Sequence, residues 1–76
     1  SRNPDYTISP NPTNGNITIL AEEPIERVEV YDLSGKLLIS ENKTNKIQLI
    51  HKGIHIIKTT FSNGDTTMDK IVNLAR

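Results

Sequence analysis

Apolar and polar residues alternate in short runs along this chain, and turn-forming residues interrupt the runs at spacings of roughly eight to twelve positions. The clearest run is Arg27 to Ser40. Val28 and Val30 share one face of an extended segment, Glu29 and Tyr31 share the other, and Leu37 and Ile39 repeat the spacing after a polar break. The break, Asp32-Leu33-Ser34-Gly35, has what a tight reversal needs: an Asp to accept backbone N–H bonds and a Gly free to take φ > 0. This predicts a β-hairpin. Two strands alone are marginal in water, so the rest of the chain must cover the face of Val28, Val30, Leu37 and Ile39.

The other segments supply that cover. Ser1 to Asp5 is polar and reads as a linker tail ahead of a single domain over residues 6–76. Tyr6 to Ser9 predicts a first strand, stopped by the corner Pro10-Asn11-Pro12-Thr13-Asn14-Gly15, whose prolines fix φ and remove ladder donors. Asn16 to Leu20 resumes with Ile17 and Ile19 on one face. Beyond the central hairpin, Glu41 to Asn45 predicts a loop and Lys46 to Leu49 a one-sided strand. Gly53 marks a turn or bulge. Ile54 to Ser62 is apolar on both parities at first, as an interior strand would be, and Asn63-Gly64 predicts a type I′ turn. Thr66 to Leu74 returns antiparallel, carrying Met68, Ile71, Val72 and Leu74. Six or seven short strands joined by turns predict an all-β fold, a small antiparallel sandwich.

Composition supports this and narrows the function. Eleven Ile, three Val and eight Thr against two Ala favour pleated strands over helices. With 76 residues the chain forms one small domain of modest stability. Nine basic and nine acidic residues balance without long runs, and only Tyr6, Tyr31 and Phe61 are aromatic, so nucleic acid is not an expected partner. No apolar run approaches the roughly 20 residues of a membrane helix. The first residue is Ser1 and the only Met is Met68, which suggests a piece of a longer chain.

Four stretches together resemble the type A C-terminal sorting domain of proteins exported by the type IX (Por) secretion system. They are Pro10 to Gly15, Val30-Tyr31-Asp32-Leu33-Ser34-Gly35-Lys36-Leu37, Gly53-Ile54-His55-Ile56-Ile57-Lys58 and Lys70-Ile71-Val72, spread over residues 8–74. His55 stands where the family usually has Tyr, and the chain ends Leu74-Ala75-Arg76 where a Lys is more usual. The resemblance implies an immunoglobulin-like β-sandwich of about seven strands at the end of a secreted protein. Its partners would be an outer-membrane translocon, a shuttle protein and a sortase-like cysteine protease, and its cargo would reach the cell surface or the medium. The recognition elements it implies are Pro10, Asn11, Pro12 and Gly15; Asp32, Gly35 and Lys36; Gly53 and Lys58; and Lys70, Ile71 and Val72. The glycines and prolines also serve backbone geometry, and outward lysines also discourage edge-to-edge pairing. The last strand, as the element most easily presented to another protein, is the expected functional segment, and an exposed edge leaves dimerisation open.

Catalysis and cofactors are not expected. The chain has no Cys, Ser34 lies in a turn, and no motif sets it beside His51 or His55. Asp65 and Asp69, four positions apart on a strand, would be separated by about 13 Å, too far for a glycosidase pair. His51 and His55 have zincin spacing, but Gly53 between them argues against the helix that chemistry needs. The Asn- and Thr-rich corner at 11–16 lacks the carboxylates of a calcium loop. The competing class is an accessory carbohydrate-binding or adhesion sandwich, which two Tyr and no Trp make less suited to sugar platforms.

Overall fold

Seven strands form where the alternation places them: β1 (Tyr6–Ser9), β2 (Asn16–Ala21), β3 (Ile25–Tyr31), β4 (Leu37–Asn42), β5 (Lys46–Gln48), β6 (Gly53–Phe61) and β7 (Thr66–Asn73). The structure is a computed structural model that describes residues 5–74. The expected linker tail therefore lies outside the described residues except for Asp5, whose carbonyl accepts the Glu22 N–H at 3.4 Å. One sheet has the order β1-β2-β5 and the other β4-β3-β6-β7, every strand pairing antiparallel. This is the expected small immunoglobulin-like β-sandwich, with β6 interior in its sheet as its two-sided apolar sequence requires.

Inward-facing side chains of both sheets meet in one core of Ile17, Ile19, Val28, Val30, Ile47, Leu49, Ile57 and Ile71, flanked by Ile8, Ile25 and Ile39. The alternation is cleanest in β6, where His55, Ile57, Thr59 and Phe61 are buried and the residues between them are not. Thr59 is fully buried, and its Oγ1 has no hydrogen-bond partner among the described residues. Replacing it with the nearly isosteric Val removes an unpaired hydroxyl from the core. We expect Thr59→Val to stabilise the domain by about 1 kcal/mol in urea titration. A destabilisation would mean that the hydroxyl has a partner.

Three local expectations are corrected. Leu37 does not join Val28 and Val30 on the core face. The register runs Val30↔Ile39 and then Tyr31↔Leu37, so β4 carries one extra residue, Leu38, and everything beyond it changes face. Leu37 is left 47% exposed beside Tyr31, and Leu38 is half-buried in its stead. Second, the Asn63-Gly64 turn is not type I′. Phe61 N–H donates to the Asp65 carbonyl (2.8 Å) and Gly64 N–H to the Phe61 carbonyl (2.9 Å), closing a three-residue loop in which only Gly64 takes positive φ, +96°. Asn63 contributes through its side chain, whose Oδ1 accepts the Asp65 N–H. The Asp32 turn has the same construction, with Gly35 at +91°. Third, β4 continues through Glu41 and Asn42 instead of yielding to a loop there, because these residues still pair with Val28 and Arg27.

Candidate functional site

β7 is an edge strand, and the β1–β2 corner closes the far half of that edge. The corner runs parallel to β7, with Thr13 bridging to Asn73. Thr13 N–H donates to the Val72 carbonyl (2.9 Å), and Leu74 N–H donates to the Thr13 carbonyl (2.8 Å). One step back, the Asn11 side chain takes the place of a peptide unit. Its Nδ2 donates to the Lys70 carbonyl and its Oδ1 accepts the Val72 N–H, both at 3.1 Å. Pro10 and Pro12 flank Asn11, remain exposed, and hold the corner out of any regular ladder. An edge that would otherwise present free N–H and C=O groups is blunted by the chain's own residues.

The corner is anchored from inside. Buried Thr13 donates from Oγ1 to the Asn16 carbonyl (2.5 Å) and accepts the Gly15 N–H (3.1 Å). Gly15, also buried, passes its carbonyl to the Leu49 N–H (2.6 Å). Asn73, wholly buried at the end of β7, donates from Nδ2 to the His51 carbonyl (2.6 Å). Hydrogen bonds thus join β7, the corner and the β5–β6 connection at one end of the sandwich. Towards the other end, β1 reaches across to β7. Tyr6 packs its ring on Phe61 with centroids 6.1 Å apart, and its hydroxyl donates to the Asp69 carboxylate at 2.8 Å. Burial, followed by that carboxylate, raises the Tyr6 pKa above its ordinary value.

The outer face of the four-stranded sheet carries a shallow groove of about 380 Å³ between Tyr31, Leu33, Ile56, Lys58 and Met68, with Asp32 and Gly35 at its rim. Met68 is 64% exposed and Leu33 67%, so the groove is apolar and open. Lys58 stands directly opposite Met68 in the ladder, and Lys70 opposite Ile56. At the groove's rim, Asp32 Oδ1 accepts the Ser34 hydroxyl (2.6 Å) and the backbone N–H groups of Ser34 and Lys36, both at 2.9 Å. Those bonds, the Ser34 hydroxyl first, hold the Asp32 carboxyl below its usual pKa. A folded pKa below the unfolded one gives stability that is complete above about pH 4 and lost as pH falls through the lowered value. Acid unfolding followed by circular dichroism should therefore show a flatter acid limb in Asp32→Asn than in the wild type. Superimposable limbs would show that the turn bonds do not favour the ionised form.

The residues singled out in the sequence fall into two neighbouring groups. Asn11, flanked by Pro10 and Pro12, bonds to Lys70 and Val72 at the edge of β7, where Gly53 pairs with Asn73, while Gly15 lies buried behind the corner and bonds to Thr13 and Leu49. Asp32, Gly35 and Lys58 gather at the groove, and Lys36 closes the turn beside them. Ile71 belongs to neither surface, being 2% exposed in the core. Thr13, Asn73 and the Tyr6–Asp69 pair were not singled out. The available signal was parity, since Asn73 shares an inward face with Ile71. His55 is buried with Nδ1 donating to the Gly53 carbonyl (3.0 Å), while His51 is exposed. Among the described residues no group of three or more His, Cys, Asp or Glu could hold a metal ion, and no helix is long and apolar enough to cross a membrane.

Fold and surface together define a small two-sheet β domain whose seventh strand is at once an edge and an anchor. The chain belongs to the family described as Domain of unknown function (DUF8694), whose model matches residues 5–73. No curated protein matches it.

Proposed function

We propose that this domain is a non-catalytic sorting signal of the type IX kind, through which an upstream cargo is carried across the outer membrane for surface attachment or release. In this reading its partners are the translocon, a shuttle protein and a sortase-like cysteine protease. The supporting observation is spatial. The four stretches that carry the resemblance are scattered over the sequence, yet each contributes to the β7 edge and the outer face next to it: Asn11 bonds to Lys70 and Val72, and Asp32, Gly35 and Lys58 line the groove beside that edge. Fold alone would not favour this function over another, because β-sandwiches host many.

The test fuses residues 1–76 to the C-terminus of a periplasm-directed fluorescent reporter, in a bacterium with an intact type IX system and in a strain lacking it. Surface or medium fluorescence in the intact strain alone is the expected result. Periplasmic retention of a folded, full-length fusion in both strains would overturn the proposal.

A further inference from the structure

The corner closes only half of the β7 edge. Lys70, Val72 and Leu74 turn backbone groups toward the corner, and strand alternation points the N–H and C=O groups of Thr66 and Met68 the same way. Among the described residues no backbone bond reaches those groups of Thr66 and Met68. The open stretch is short, bounded by Asn11 at one end and the Ser62–Gly64 turn at the other. It lies beside the groove, because Met68 forms the groove's near wall. Two lysines border it, half-buried Lys58 across the ladder from Met68 and exposed Lys70 one outward position further along.

We propose that this open half-edge docks an extended peptide segment of a partner protein, which adds as a short strand in line with the corner. The corner shows the chemistry that fits, since Asn11 and Thr13 already satisfy the neighbouring groups of the same edge with extended chain. An aliphatic or aromatic side chain opposite Met68 lies over it toward Ile56, and acidic side chains two positions to either side meet Lys70 and Lys58. A second copy of this domain fits poorly. Antiparallel pairing of two β7 strands across Thr66–Met68 would drive the Ser62–Gly64 turn of each copy against Asn11 of the other. The inference concerns the purified domain and holds whether or not the domain directs export, so it fails or stands separately from the sorting proposal.

The probe is an end-blocked seven-residue peptide, Thr-Glu-Thr-Phe-Thr-Glu-Thr, titrated into ¹⁵N-labelled domain. Two versions carry N-methyl groups, one on the Phe and Glu amides and one on the internal Thr amides. Strand addition uses only alternate amides, so one methylated peptide should lose binding at least tenfold while the other retains it, with amide shifts centred on Thr66, Met68 and Lys70. Met68→Pro removes an outward N–H without touching the β6 ladder and should weaken the parent peptide at least tenfold, with the fold verified by its thermal transition. Equal effects of the two methylated peptides would place the ligand on the face alone and overturn the proposal. So would the absence of shifts at the solubility limit, or a sedimenting dimer that occupies the same amides.

Discussion

A chain ending at Asp69 is expected not to fold. The truncation removes Ile71, which is 2% exposed in the core, the wholly buried Asn73, and the groups to which Asn11 and Thr13 bond. Losing a buried Ile costs about 2–5 kcal/mol, and the unpaired groups left on the corner add about 1–3 kcal/mol each. A domain of this length has roughly 4–11 kcal/mol of total stability to set against those losses. Circular dichroism and heating should show no cooperative transition. A transition within a few degrees of that of the intact domain would mean that β7 is an appendage and not part of the core. The sorting proposal is affected directly, because failure of this truncation to be exported would not separate a lost signal from a lost fold. Substitutions at exposed Met68 or Lys70 make that separation.

Asn73→Ala is expected to cost about 2–4 kcal/mol, as a buried hydrogen-bonding side chain is lost and the His51 carbonyl it served is left without that donor. Urea unfolding measures this. The cooperative transition should persist at a lower midpoint, with amide exchange accelerated first at Thr13, Gly15 and Leu49, which share the same hydrogen-bonded end. A cost below about 0.5 kcal/mol, the range of an ordinary surface change, would show that Asn73 does not hold the corner to β7.

The strands were legible in the sequence because one face of each sheet is buried. Burial on one side enforces period-two alternation, and runs such as Ile17-Thr18-Ile19 and Val28-Glu29-Val30 show it plainly. Details that one extra residue decides were not legible. Leu37 has the right spacing for the core and misses it because β4 inserts Leu38, a choice that pairing with β3 makes and local pattern does not record. Asn63-Gly64 suits a two-residue turn by propensity, yet the Thr60↔Thr66 register leaves room for a three-residue loop. The corner was recognised as rigid, but its destination was hidden, because it meets Val72 through two hydrogen bonds, one to the Asn11 side chain and one from the Thr13 N–H, that no local pattern announces.

The corner's contacts also bear on the order in which the chain can fold. Asn11 is 59 residues from Lys70 and 61 from Val72, and Tyr6 is 63 from Asp69. Bonds of such separation close late and raise contact order, which slows folding. During N-first delivery from a ribosome or a channel, the early strands must wait unsealed until residues 69–74 emerge. The last strand to arrive is thus the one that locks the first.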